Sequence, residues 1–255
     1  MTRAPSWAPP LLAVQFLTRL PVPVLARLTA DEAADGLARA MAWLPPVGTL
    51  VGAITAAVFA AAGWWWPPLV AALLALAVEA LLTGAFHEDA VADFCDAFGG
   101  TARGETALRI MRDSRIGSYG TLGLGLAVAM RVAAITALPA ALAVPSIVAA
   151  ATLARLAAVL LAAILPAVRP DGAAVRMGRG MPVRRAALAL VLSLPGLVPL
   201  ALLRPQALLV AAVAVALLLG WLTRFLRERI GGSTGDCLGF TAYMAQLALL
   251  LAAAA

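Results

Sequence analysis

The chain contains no lysine, so all 19 of its basic residues are arginine. A G-x-x-x-x-G-K-[ST] phosphate loop is therefore impossible, which excludes a P-loop nucleotide engine within this polypeptide. Only two cysteines occur, Cys95 and Cys237, far apart and in no C-x-x-C pair. That spacing argues against a disulfide framework and a zinc cluster, and both thiols are expected as reduced packing residues. Histidine occurs once, at His87, and charged side chains make up only 13% of the 255 positions. The net charge of +6 is carried by groups that stay protonated and can fork onto phosphate or carboxylate oxygens. In a chain this apolar the excess of arginine reads first as an orientation signal, and no nucleic-acid partner is expected.

What is abundant is hydrocarbon. Apolar residues reach 63% and the mean hydropathy is +0.96. Repeated apolar blocks of about 18 residues point to membrane-spanning helices, so the lipid bilayer is the expected solvent. Seven spans can be marked: 47–63, 69–86, 119–143, 146–168, 186–203, 207–222 and 238–255. The expected fold is all-α, a single integral membrane domain over residues 1–255 with about seven transmembrane helices, within a range of six to eight. Pro9, Pro10, Gln15, Arg19, Pro21 and Pro23 interrupt the first apolar run. It lacks the form of a cleaved signal and reads as a retained interfacial or re-entrant element.

The connections alternate in character. Those at Trp64 to Pro68, Val144 to Pro145 and Arg204 to Gln206 are short, whereas His87 to Ser118, Arg169 to Arg185 and Thr223 to Cys237 are longer and rich in arginine. Arginine-rich loops face the cytoplasm, which puts the three long connections and the N-terminus inside and the C-terminus outside. Trp64, Trp65 and Trp66 then fall at the outer interface, and almost every acidic residue lies on the cytoplasmic side. Any active site is expected to face the cytoplasm.

Four carboxylates crowd into nine residues of HEDAVADFCDAFGG, His87 to Gly100. If the second span continues as a helix past Phe86, Asp89, Asp93 and Asp96 fall at i, i+4 and i+7 on one face. Like charges so arranged ask for a cation, and hard carboxylate oxygens suit Mg²⁺ or Mn²⁺. The plainer reading is an acidic helix end relieved by the neighbouring arginines. The next loop, ARGETALRIMRDSRIGSYG, supplies Arg103, Arg109, Arg112, Asp113, Ser114 and Arg115. Metal-binding acids beside phosphate-binding guanidiniums form a phosphoryl-transfer constellation. GGSTGD, Gly231 to Asp236, offers backbone N–H groups, Thr234 and a helix start to a phosphate, although a simple turn explains it equally well. Arg131, Arg155 and Glu79 lie within spans, where they either line a site or lock helices together as pairs. His87 is a candidate general base or a hydrogen-bonded interfacial residue.

Four stretches together resemble the cobalamin synthase family: FLTRLPVP at Phe16 to Pro23, HEDAVADFCDAFGG, IMRDSRIGSYG at Ile110 to Gly120, and GGSTGDCLG at Gly231 to Gly239. The family's acidic motif, H-x-D-G-x-x-D-x-x-D-G, is matched at His87, Asp89, Asp93 and Asp96 and departs at Ala90 and Ala97. The resemblance implies a Mg²⁺-dependent membrane enzyme that joins adenosylcobinamide-GDP to alpha-ribazole or its 5'-phosphate and releases GMP. It implies a metal on Asp89, Asp93 and Asp96, with Asp96 and His87 as candidates to take the hydroxyl proton. Arg109, Arg112, Asp113, Ser114, Arg115, Arg155, Thr234 and Asp236 are the candidate phosphate contacts, and a homo-oligomer is compatible with all of this.

Two rivals remain at this level. A CDP-alcohol phosphotransferase also presents helical aspartates to metal, but its D-G-x-x-A-R step is absent, since Phe94, Cys95 and Asp96 follow Asp93. A transporter could line a pathway with Glu79, Arg131 and Arg155, but it would place essential charges on both faces, whereas the acids crowd onto one face and there is no clear two-half repeat.

Overall fold

The computed structural model describes residues 3–168 and 181–255. Arg169, Arg176 and Arg179 of the second arginine-rich connection lie outside the described residues. Within them the chain is helical, with one isolated bridge between Ala167 and Ser233. The helices are α1 (Ala8–Leu17), α2 (Ala30–Ala40), α3 (Leu44–Ala62), α4 (Pro68–Thr83), α5 (Phe86–Phe98), α6 (Gly104–Ile110), α7 (Ser118–Ala137), α8 (Ala140–Ile164), α9 (Val183–Leu203), α10 (Pro205–Ile230) and α11 (Gly235–Ala254). Among the described residues six helical stretches are long and apolar enough to cross a bilayer, α2 and α3 counting as one, and α4 with α5 makes a seventh if that bent pair is one crossing.

Helix α8 is the hub: 78% of its most apolar window is buried, against 28% for α9 and for α10. Small residues make that position available. Gly48 and Gly52 of α3, a G-x-x-x-G pair, face Ala151, and a methyl group at Gly48 would overlap the Ala151 carbonyl. Close backbone approach of this kind, rather than a hydrophobic driving force, holds helices together in lipid. Thr49 and Thr152 add a hydroxyl hydrogen bond of 2.9 Å across the same seam. The outer faces of α9 and α10 expose Leu190, Val191, Leu202, Leu209, Val213 and Leu217, a surface suited to acyl chains.

Three boundaries differ from the sequence expectation. The α7–α8 turn falls at Leu138 and Pro139, whereas Pro145 lies inside α8. Pro139 suits a helix start and its carbonyl accepts from Leu142 N (2.8 Å), while Pro145 omits only one backbone bond of a 25-residue helix. Helix α10 runs on to Ile230 and stops at Gly231, whose φ of 80° is left-handed. Its last turns carry Arg224, Arg227 and Arg229 out of the apolar stretch.

The third difference shapes the site. Helix α4 does not continue into the acidic segment, because the chain turns by 89° between α4 and α5. Gly84 and Ala85 are both left-handed, with φ of 72° and 56°. Glycine adopts this freely and alanine does not, so the elbow needs support from its surroundings. The FLTRLPVP stretch supplies part of it: Arg19 N donates to Leu82 O (2.7 Å), and the Phe16 and Phe86 rings meet edge to face at 5.5 Å.

Candidate active site

Past the elbow, α5 leaves the direction of α4 and packs one face on α11 and α7. Ala90, Val91, Phe94, Ala97 and Phe98 are buried on that face. Gly239 of α11 leaves room for Ala90, and Phe94 stacks on Phe240 with centroids 3.8 Å apart. The opposite stripe carries Asp89, Asp93 and Asp96, so the expected i, i+4, i+7 arrangement is present on α5 itself. Asp89 is exposed, and Asp93 and Asp96 are half-buried.

The three carboxylates differ in what they touch. Asp96 accepts from Gly117 N and Gly120 N, each at 2.7 Å, and so caps the N-terminus of α7 from outside that helix. A side chain at Gly120 would collide with Asp96, which explains glycine there. Asp89 and Asp93 make no hydrogen bond or ion pair among the described residues. Burial first, then the charges of Asp89, Asp236 and Asp96, push the Asp93 carboxyl up to about 7. An acid held this far from its ordinary range by burial and by like charges is a site that a cation would relieve. Among the described residues no three acidic, histidine or cysteine side chains converge as a complete cage. The donor set is hard oxygen, and it suits an ion that takes one or two carboxylates and completes its shell with water and substrate phosphates.

Asp236 sits in the first turn of α11, whose N-cap Thr234 accepts from Cys237 N at 3.3 Å. Its charge acts on Asp93, which brings the GGSTGD stretch to the acidic stripe. The arginine loop divides. Arg109, Arg112 and Ser114 are exposed, and Arg109 and Arg112 line an open depression with Glu105, Thr106 and Asp113. Arg115 forms a two-pronged ion pair with Asp113, at 2.6 and 2.9 Å, which holds that carboxyl down to about 2. Asp113 therefore orients Arg115 rather than offering itself to an anion.

His87 and Arg155 lie elsewhere. His87, in the first turn of α5, is 7% exposed and buried on that helix's inner face. At about 100° per residue, two positions before Asp89 is the far side of the helix, so the stripe's own phase places it away from the acids. Its ring lines a cavity of about 30 Å³, room for a water or two, with Phe16, Phe86, Gly235 and Arg155. Arg155 is 1% exposed, donates to Ala151 O at 3.3 Å, and leaves Nε and Nη2 without a partner among the described residues.

One group was not foreseen from sequence as a unit. Arg131 Nη2 donates to Glu79 Oε2 at 2.6 Å and Nη1 to Glu88 Oε1 at 3.4 Å, while Thr55 Oγ1 donates to the same Glu79 oxygen at 2.9 Å. Glu79 and Arg131 stood out as intramembrane charges, but nothing in the sequence tied them to Glu88.

A polytopic helical bundle that sets unpaired aspartates of α5 against the glycine-rich start of α11 has the make-up of a membrane-bound transferase. The sequence profile described as Cobalamin-5-phosphate synthase matches residues 9–254, and the chain belongs to that family. It is 40% identical over 254 residues to an adenosylcobinamide-GDP ribazoletransferase of Rhizobium etli, covering 95% of this chain and 94% of the relative. Proteins of the same name from Ralstonia nicotianae (39%, covering 94% and 92%) and Shewanella amazonensis (38%, covering 94% and 92%) are similar over comparable lengths. No solved structure matches the chain.

Proposed function

We propose that this chain transfers the adenosylcobinamide phosphate moiety of adenosylcobinamide-GDP to alpha-ribazole or its 5'-phosphate, the nucleotide-loop assembly step of cobalamin synthesis. A ribose hydroxyl oxygen forms a bond to the phosphorus attached to cobinamide, the bond from that phosphorus to the bridging oxygen breaks, and GMP leaves with that oxygen. The hydroxyl proton passes to solvent or to a nearby base. Supporting this reading most is the pair of carboxylates, Asp89 and Asp93, that have no partner among the described residues and that share a field with Asp236 at the glycine-rich start of α11.

Asp89 and Asp93 would hold Mg²⁺, with Asp236 adding negative charge from α11. When bound, the ion would neutralise charge on the diphosphate and on the departing phosphate. Arg109, Arg112 and Arg115 supply fixed positive charge to phosphate oxygens that carry more charge in the transition state. Asp96, bonded to the α7 backbone, ties the stripe to the loop holding Arg115, so acids and arginines keep one spacing. Thr234 and the α11 start offer a second phosphate contact. Buried behind the stripe, His87 and Arg155 act through packing and field rather than by touching the reacting phosphorus. We assign the acid-bearing end to the cytoplasmic face of a bacterial inner membrane, supported by the arginine excess of its loops.

The test is direct. Purified protein given adenosylcobinamide-GDP, alpha-ribazole or its 5'-phosphate, and Mg²⁺ is expected to release GMP only when both organic substrates are present. No GMP from a folded preparation would reject the proposal in favour of a transport role.

A further inference from the structure

The elbow between α4 and α5 sets where the acidic stripe points. Gly84 N–H and Ala85 N–H both return to Ala80 O and so close the end of α4, but those bonds do not reach α5, and Ala85 is held in a region that alanine disfavours. A single side chain spans both arms. Arg131, from the middle of α7, reaches Glu79 on α4 at 2.6 Å and Glu88 on the first turn of α5 at 3.4 Å. Its side chain is 3% exposed, Glu79's is 5% and Glu88's 19%, so water does little to screen either contact. The guanidinium also lies 5.6 Å from the centre of the Tyr243 ring of α11. Glu88 directly precedes Asp89, so any swing of α5 that lengthens the Glu88 contact carries the stripe with it.

We propose that Arg131 is a positioning residue that, by bridging Glu79 and Glu88, clamps the α4–α5 elbow at the angle that holds the Asp89 and Asp93 pair against Asp236 of α11, so that a divalent cation on the pair also feels that third charge. This rests on the reading of Asp89 and Asp93 as metal carboxylates. The clamp itself does not touch substrate. A merely structural lock between α4 and α7 needs only the Glu79 contact, and the Glu88 arm is what the positioning role adds.

Glu88→Gln separates the two, because it weakens the second arm and leaves the Glu79 pair and its Thr55 hydrogen bond intact. Two measurements on purified protein in detergent decide the matter. Hydrogen exchange of residues 84–92 is expected to quicken about tenfold or more in Glu88→Gln while α8 and α11 exchange as before. The Mn²⁺ dissociation constant, read by electron paramagnetic resonance, is expected to rise about tenfold, the lower end for loss of an outer partner of a metal ligand. Excess metal should then restore the initial rate of GMP release. Unchanged exchange over 84–92 overturns the clamp. Faster exchange with unaltered Mn²⁺ affinity overturns its role in positioning. If the unaltered chain binds no Mn²⁺, the metal reading fails and the positioning role with it, while the exchange data still decide whether the elbow is clamped.

Discussion

Replacing Asp96 by asparagine should destabilise the protein, whereas the same change at Asp93 should not. Asp96 accepts two backbone N–H groups at 2.7 Å, from Gly117 and Gly120, at the start of a 20-residue helix. Hydrogen bonds to an ionised acceptor contribute roughly 1.5–3 kcal/mol each, and a negative charge at a helix N-terminus adds about 0.3–1 kcal/mol. Asparagine keeps one acceptor oxygen and turns an NH₂ group toward the other N–H, so one bond and the charge are lost together. Because the carboxylate is half-buried, water recovers part of that loss, and the net cost is about 2 kcal/mol. Asp93 makes no such bonds and is crowded by like charge, so its neutralisation should leave stability equal or slightly higher. The assay is reversible unfolding in mixed micelles followed by helicity, in chelator so that bound metal does not contribute. Equal stability of Asp96→Asn and the unaltered protein would refute the capping argument.

Other outcomes follow from the same geometry. Glu79→Ala leaves Arg131 buried with its nearest partner gone and should cost about 3–5 kcal/mol, seen as loss of folded protein in the same unfolding assay. Gly239→Leu would drive a side chain into Ala90, separating α11 from α5, and should cut Mn²⁺ affinity even where the protein remains folded. Proton and metal compete for Asp93, whose carboxyl sits at about 7, so a raised value means protonation as pH falls below 7. Mn²⁺ affinity should therefore weaken by nearly tenfold per unit below pH 7 and level off above it, and a flat profile from pH 5 to 8 would show that Asp93 is not a ligand.

The helices were legible because apolar runs of bilayer length have few other uses, and each of the seven expected spans corresponds to a helix whose ends are shifted by a few residues. The acidic stripe was legible too, since its spacing is a property of any helix that carries it. The elbow was not. The apolar pattern runs unbroken through Gly84 into Phe86, and glycine alone does not mark a bend, since Gly123 and Gly125 sit within α7 without ending it. The burial of His87 could have been read from phase, as it lies nearly opposite Asp89 on α5. An ion pair of Glu79 with an intramembrane arginine was open to the sequence, and Arg131 makes it, but its second partner Glu88 could not have been assigned, because it lies 43 residues away and pairs only once three helices have packed. The second role of Asp96 was likewise hidden, because its partners are backbone amides that no side-chain pattern announces.

The measurement that bears most directly on the account is GMP formation by Asp93→Asn under single-turnover conditions, with adenosylcobinamide-GDP, alpha-ribazole 5'-phosphate and saturating Mg²⁺. Loss of at least a hundredfold in rate, in protein that unfolds like the unaltered chain, is the expected result, since removal of one stabilising group at a developing charge costs about 10²–10³ in rate. A rate within a few-fold of the unaltered protein, or undiminished GMP release in chelator, would contradict the assignment of the acidic stripe as a metal site.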